Sequence, residues 1–177
     1  IIEASSHGLH QGRLSNLQFK SVVFTNFSRD HLDYHKSMKS YLNAKLTLFK
    51  KNLKVNSNII CDDDIAKLIR NKVKKKHKFI LQSKNNYFKI LGSKPDGSKS
   101  RIKINCNNNI YNITVNLIGE FQIKNLFHAI ILSIISGISV NKIINVLPKI
   151  KPMEGRLNIL KNKNKIVCLD FAHTPDG

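Results

Sequence analysis

Strand-like and helix-like segments alternate along most of this chain, and their order restricts the fold more than any other feature. SVVFTNF (21–27) is apolar enough for a buried strand, whereas SMKSYLNAKLTLFK (37–50) places its apolar residues on one helical face. NSNIICDDD (56–64) and KFILQ (78–82) predict two more strands, with a short helix between them. Strands that alternate with helices form mostly parallel sheets. We therefore predict an α/β domain with a mostly parallel sheet and flanking helices.

The pattern changes between Asn86 and Leu117. The short alternating segments YFKIL, RIKIN and IYNITVNLIG are separated there by the turn GSKPDGSK and by a cluster of asparagines. Period-two alternation between turn signals is typical of antiparallel strands. We predict a small antiparallel β insert in the α/β domain.

Helices return after the insert, and the chain ends in strands. The sequence predicts an apolar helix at 122–137, closed by Gly137, and a short helix at 139–150. KPMEGRLNIL and KIVCLDFAH then predict two strands around KNKN. We expect this strand pair to begin a second domain, so that residues 1–151 belong to one domain and residues 152–177 to the next.

Composition excludes several classes of protein. With 41% hydrophobic and 23% charged residues the chain is typical of a globular domain, and its longest apolar run is too short to cross a bilayer. The net charge of +19 would suit a nucleic-acid partner, but the excess is spread along the chain, with few arginines and no interleaved aromatics. Three separated cysteines without a CxxC pair are typical of reduced cytosolic thiols. We expect a cytoplasmic monomer with no nucleic-acid or membrane partner.

Polar residues suited to catalysis follow the first predicted strand. TNFSRDHLDYH places Asp30 and His31 just after the carboxyl end of that strand, where ligands bind in open α/β sheets. Glu3 and His31 can share a Mg²⁺ ion, although this ion prefers oxygen ligands. An ordinary solvated loop with an aspartate cap explains the same residues as well.

Two further positions are ambiguous in the same way. DFAHTPDG (170–177) again places an aspartate and a histidine at the end of a strand. Lys45 lies within the predicted helix 37–50, and its simplest interpretation is a solvated lysine. Spacing alone therefore indicates an α/β enzyme with a polar site and does not name the reaction.

Six separated motifs together resemble a known family. EASSHGL, TNFSRDHLDYH, AKLTLF, GEFQIKN, GRL and DFAHTPDG resemble the Mur ligases in order and spacing, and SSHGL with HLDYH resembles the MurE type in particular. The match runs along essentially the whole chain. It implies the central ATPase domain of that family, followed by the start of its C-terminal domain.

The resemblance also implies an activity. Enzymes of this type use ATP and Mg²⁺ to add the third residue, by default meso-diaminopimelate, to UDP-N-acetylmuramoyl-L-alanyl-D-glutamate. ATP phosphorylates a carboxylate of the growing peptide, the incoming amine attacks the acyl phosphate, and phosphate leaves. Metal ions and cationic side chains neutralise the charge that develops in such phosphoryl transfers.

Site residues follow where this chain matches the family's motifs. The resemblance implies that Glu3 and His31 are Mg²⁺ ligands. It implies that Lys45 is the lysine carbamylated in this family, an anion beside a second Mg²⁺, so that Lys45 and His31 are catalytic. The implied contacts of the dipeptide substrate are Ser5, Gln11 and Arg13. The implied nucleotide contacts are Asn125, Arg156, Asp170 and His173.

The chain departs from the family pattern in three places. Gln122 stands where the family usually has an asparagine, which keeps an amide but leaves adenine recognition open. The GxxGKT/S phosphate loop and the motif that selects the amino acid do not occur in these residues. We therefore expect a fragment that lacks both flanks and is inactive alone. Two alternatives stay open, another ligase of this superfamily such as a folylpolyglutamate synthetase, and a non-catalytic basic remnant that touches nucleic acid.

Overall fold

A computed structural model describes residues 1–74, 76–85, 87–162 and 165–172. The described residues fall into two compact units, which divide after Leu81. The first unit alternates strands and helices, and the second contains the antiparallel strands. None of the helices in the described part is long and apolar enough to cross a membrane.

A three-stranded parallel sheet with surrounding helices forms the first unit. Its elements are, in order, α1 (Ser6–His10), β1 (Phe19–Phe24), α2 (Leu32–His35), α3 (Met38–Lys51), β2 (Leu53–Cys61), α4 (Asp63–Ile69) and β3 (Lys78–Ile80). The strand order is β1-β2-β3, and both pairs are parallel. The predicted parallel sheet is confirmed.

Helix α3 supplies much of the core of this unit. The Ser37 hydroxyl accepts the N–H of Ser40 at 3.2 Å and so starts the helix. Leu42, Leu46 and Phe49 recur at helical spacing and are buried against β1 and β2. Each such side chain contributes about 1.5–3 kcal/mol when it is fully buried. This packing fixes α3 across the sheet beside the carboxyl end of β1.

The second unit carries the antiparallel insert. Its elements are β4 (Phe88–Asp96), β5 (Lys99–Cys106), β6 (Asn109–Val115), α5 (Glu120–Ile135), α6 (Val140–Val146), β7 (Asn158–Asn162) and β8 (Lys165–Leu169). The pairs β4-β5 and β5-β6 are antiparallel, as predicted, and β7 pairs with β8 in a separate two-stranded sheet.

The antiparallel sheet packs one face against α5. Phe88 of β4 and Phe127 of α5 are fully buried, with ring centroids 6.2 Å apart, and Ile102 and Ile104 of β5 are buried with them. The side chains on the opposite face of β5 are solvated and basic: Lys99, Arg101 and Lys103. This alternation explains why the insert was recognisable as strands from the sequence.

Element ends differ from the predictions by a few residues. The strand predicted at 21–27 stops at Phe24, which pairs with Cys61, the last residue of β2. The helix predicted at 122–137 is α5, and Gly137 follows it with φ +89°, as expected for a glycine that ends a helix. Helices α1 and α2 were not predicted.

Candidate functional site

Asp30 and His31 lie between β1 and α2, at the carboxyl end of the strand. His31 precedes α2 with a left-handed backbone (φ +56°), a conformation that costs a residue with a side chain about 1–2 kcal/mol. Its N–H donates to Oδ1 of Asp30 at 2.7 Å, and its Nε2 lies 3.3 Å from Oδ2 of the same carboxylate. Asp30 thus holds both the backbone and the ring of His31 at the sheet edge.

Lys45 projects from α3 into a half-buried position beside aromatic rings. Its Nζ lies 5.0 Å from the ring centroid of Tyr41 and 5.4 Å from that of Phe24. Burial lowers the pKa of the Lys45 amine, while the negative charges of Asp30 and Glu3 oppose that shift. A lowered pKa raises the fraction of neutral amine, which is the nucleophilic form. Lys45 thus lies within electrostatic range of Glu3 and of Asp30, the residue that holds His31.

Four histidines and two tyrosines form a cluster beside these residues. The His7 ring centroid lies 4.1 Å from that of Tyr34, 4.9 Å from that of His31 and 5.4 Å from that of His35. Nδ1 of His10 lies 2.9 Å from the Tyr34 hydroxyl. This cluster was not predicted from the sequence, although His7 and His10 have the three-residue spacing that places two side chains on one helical face.

His35 is the buried histidine of the cluster. Its Nε2 lies 2.9 Å from the buried hydroxyl of Ser6, and its ring stacks on Tyr41 with centroids 5.3 Å apart. Burial lowers the pKa of His35, and the charges of the neighbouring histidines lower it further. Tyr41 also lies 5.8 Å from the His31 ring, so it contacts both His31 and Lys45.

The predicted substrate residues lie at the two ends of α1. The Ser5 hydroxyl accepts the N–H of Gly8 at 3.1 Å and caps the helix, so part of its hydrogen-bonding capacity is used within the chain. Gln11 and Arg13 follow the helix and are exposed. An exposed guanidinium suits bidentate binding of a carboxylate or phosphate.

The side chains near Lys45 carry atoms of the kind that can bind Mg²⁺. Glu3 and Asp30 supply carboxylate oxygens and His31 supplies a ring nitrogen. Over 1–74, 76–85, 87–162 and 165–172, no group of three or more histidines, cysteines or acids is arranged to hold a metal ion. Mg²⁺ is usually held by one or two carboxylates together with substrate phosphates and water. These residues therefore suit an ion shared with a bound nucleotide.

Three of the four predicted nucleotide contacts, Asn125, Arg156 and Asp170, lie in the second unit. Arg156 is exposed, with its guanidinium carbon 5.9 Å from the centre of the Phe171 ring. Oδ1 of Asp170 accepts the N–H of Ala172 at 3.0 Å, and Asn125 is exposed on α5. The structure brings Arg156 beside the segment that contains Asp170. His173 lies outside the described residues.

Comparison with known proteins shows which family the chain resembles. The family model of the Mur ligase middle domain matches residues 1–133. The UDP-N-acetylmuramoyl-L-alanyl-D-glutamate–2,6-diaminopimelate ligase of Rickettsia typhi is 37% identical over 184 aligned residues, which cover 99% of this chain and 36% of that protein. The chain thus spans just over a third of the length of such curated relatives.

Solved structures show the same similarity. A structure of a UDP-N-acetylmuramoyl-L-alanyl-D-glutamate–2,6-diaminopimelate ligase superposes with a TM-score of 0.77 at 28% identity and covers 98% of this chain and 37% of that one. The fold is shared with MurF ligase of Thermotoga maritima in complex with ADP, with a TM-score of 0.73 at 14% identity over 93% of this chain and 38% of that one. Because the family model covers most of its residues, the chain belongs to the Mur ligase family.

Proposed function

We propose that this chain contains part of the ATP-binding domain of a ligase that adds an amino acid to UDP-N-acetylmuramoyl-L-alanyl-D-glutamate in peptidoglycan precursor synthesis. The observation that carries the proposal is the position of Lys45, half-buried beside the last residue of β1 and within electrostatic range of Asp30 and Glu3. A lysine with a lowered pKa beside carboxylates suits a phosphoryl-transfer site better than a structural surface. The name of the Rickettsia typhi relative supports diaminopimelate as the added residue.

The domain division is part of this proposal. We assign residues 1–151 to the C-terminal part of the central ATP-binding domain, without its phosphate loop, and 152–177 to the start of the C-terminal domain. The matched family model ends at residue 133, and β7, which begins at Asn158, forms a separate sheet with β8. Both facts support a domain boundary between residue 133 and Asn158. We also place the enzyme in the cytoplasm as a monomer.

Each site residue then has a chemical role. Glu3 and His31 would hold Mg²⁺, and carbamylation would turn Lys45 into an anion able to bind a second Mg²⁺. Mg²⁺, when bound, neutralises charge on the transferring phosphoryl group. The muramoyl dipeptide is held by Ser5, Gln11 and Arg13. ATP is held by Asn125, Arg156, Asp170 and His173.

The proposed reaction forms one amide bond for each ATP. The substrate carboxylate attacks the γ-phosphorus of ATP and yields an acyl phosphate and ADP. The amine of the incoming amino acid then attacks the acyl carbon, and inorganic phosphate leaves as the amide forms and the amine loses its proton. The full gene product that contains these residues should therefore form no ADP without the acceptor, and should form ADP over repeated turnovers only when the amine is also present.

The test is a ligase assay on that full gene product. We expect ADP and amide product with UDP-N-acetylmuramoyl-L-alanyl-D-glutamate and diaminopimelate, and much less of both with lysine or with a folate acceptor. Lys45→Met should lower kcat about 100-fold or more. Lys50→Met, at an exposed lysine of the same helix, is the matched control and should leave kcat unchanged. ADP release that does not depend on the muramoyl dipeptide would overturn the proposal.

A further inference from the structure

We infer that Gln122 is a positioning residue, which holds the backbone of Arg156 so that the Arg156 side chain is presented to the nucleotide. This inference rests on the proposed function, because it takes Arg156 as a nucleotide contact. It assigns Gln122 a role through another residue and not a contact of its own with ATP.

The first observation is where the Gln122 amide points. Gln122 lies in the first turn of α5 and is only 7% exposed. Its Nε2 donates to the backbone carbonyl oxygen of Arg156 at 2.9 Å. A buried amide whose donor is used by a protein carbonyl stabilises that carbonyl's position.

The peptide groups of Arg156 are satisfied on both sides. Its N–H donates to the carbonyl of Met153 at 3.1 Å and lies 3.3 Å from Oδ1 of Asn158, while its carbonyl accepts from Gln122. Arg156 is an exposed residue, and its guanidinium carbon lies 5.9 Å from the centre of the Phe171 ring. The backbone is therefore fixed, and the guanidinium is the part left to meet a ligand.

Close packing holds the same segment from two directions. A Cβ on Gly119, just before α5, would lie 2.9 Å from Cδ1 of Leu157. A Cβ on Gly155 would lie 2.1 Å from the ring of Phe171, whose N–H donates to the Gly155 carbonyl at 2.9 Å. The two glycines have φ of +86° and +71°, which favour glycine in any case. Residues 155–157 are thus packed between the start of α5 and Phe171, and Gln122 closes this packing with a hydrogen bond.

Two substitutions separate a positioning role from a direct contact. Gln122→Asn keeps an amide but withdraws it by one carbon–carbon bond, about 1.5 Å, so that it no longer reaches the Arg156 carbonyl. Gln122→Glu keeps the length but replaces the donor with a carboxylate that repels the carbonyl. If the amide met adenine directly, the asparagine would be the milder change.

The experiment measures KM for ATP and kcat in the full gene product for Q122N, Q122E, R156A and the double variant Q122N/R156A. We expect Q122N and Q122E each to raise KM for ATP about tenfold, with kcat changed less than KM. In the R156A background, Q122N should add no further increase. Glu120→Gln, an exposed residue of the same helical turn that pairs with Lys124, is the control and should leave KM unchanged.

Each other outcome has a defined meaning. If Q122N raised KM for ATP by the same factor in the wild-type and R156A backgrounds, the inference would be overturned, since Gln122 would then act independently of the Arg156 side chain. If Q122N does not fold, as judged by circular dichroism, Q122E carries the same comparison. A wild-type protein that shows neither ATP binding by calorimetry nor ligase activity would overturn the proposed function, and the inference with it.

Discussion

Nε2 of His35 lies 2.9 Å from the hydroxyl oxygen of Ser6, and the two residues are only 4% and 2% exposed. This contact joins α1 to α2 and so brings the histidines of the two segments into one cluster. The partners are 29 positions apart in the sequence. The contact therefore orders two polar segments that contribute little to the apolar core.

Removal of the Ser6 hydroxyl should destabilise the first unit. Ser6→Ala leaves a buried imidazole nitrogen without its partner, which costs about 1–3 kcal/mol in the free energy of unfolding. Urea titration measures the loss, and Ser40→Ala, at an exposed helical serine, should change stability by less than about 0.5 kcal/mol. A double-mutant comparison is the stricter test. In a chain that already carries His35→Phe, Ser6→Ala should lower the free energy of unfolding clearly less than it does in the parent chain. An unchanged cost would refute the interaction.

The chemical reactivity of Lys45 should reflect its burial. Because burial lowers the pKa of this amine from its ordinary value of 10.5, Lys45 becomes neutral at a lower pH than a solvated lysine. Carbamoylation by cyanate, followed by peptide mass spectrometry across pH 7–11, should give a midpoint for Lys45 below 10.5. Lys50, on the exposed side of the same helix, provides the reference peptide. A Lys45 midpoint at or above 10.5 would contradict the burial argument.

Asn52 is a second buried polar residue whose loss should be costly. It follows α3, is 2% exposed, and its Nδ2 donates to the carbonyls of Leu14 and Leu17 at 2.5 and 2.9 Å. Asn52→Asp removes both donated bonds and places a carboxylate against two carbonyls. We expect a loss of about 2–3 kcal/mol in unfolding free energy at pH 7.

The pH dependence of this loss distinguishes its cause. When the new carboxyl of the Asn52→Asp variant is protonated, it can donate one hydrogen bond, so the deficit relative to the parent chain should shrink at pH 4. Asn52→Leu, which cannot titrate, should show the same deficit at both pH values. Urea titrations at pH 7 and pH 4 measure both variants. If the stability lost in the Asn52→Asp variant were larger at pH 4 than at pH 7, the role given to Nδ2 would be contradicted.

The long elements of this fold were predictable because their signals are local. The apolar spacing of Leu42, Leu46 and Phe49 indicated α3, and its observed range, Met38–Lys51, differs from the prediction by one residue at each end. The alternation in β5 indicated the antiparallel insert for the same reason. Each pattern shows which face of the element is buried. Burial of that one apolar face is what mainly stabilises a helix or strand in water.

The short helices and the buried polar contacts were not predictable in this way. Helix α1 has five residues and α2 has four, too few for an apolar period to appear, and α1 depends on the Ser5 cap. The hydrogen bond from Gln122 to the Arg156 carbonyl joins residues 34 positions apart. Family motifs indicated which residues are important, but only tertiary structure showed that Gln122 faces a protein carbonyl.

His77 should make the stability of the first unit depend on pH. It is 7% exposed, and its Nδ1 has no hydrogen-bond partner among the described residues. Burial lowers its pKa from the ordinary value of 6.5, and the charges of Lys74 and Lys76 lower it further. The unfolded chain therefore binds a proton more readily than the folded one. Stability from this site is complete above pH 6.5 and falls as the pH decreases toward the folded-state pKa.

Substitution of His77 isolates this contribution from that of His35, whose pKa is also lowered. His77→Phe keeps a ring of similar size and removes the titrating group, so its unfolding free energy relative to the parent should rise by up to about 1.4 kcal/mol per pH unit below pH 6.5. Urea titrations at pH 8, 6 and 5 measure the difference. Phe79→Leu, a nearby apolar change, should lower stability by the same amount at every pH. If the difference between His77→Phe and the parent were equally constant, His77 would not be the group that couples folding to pH.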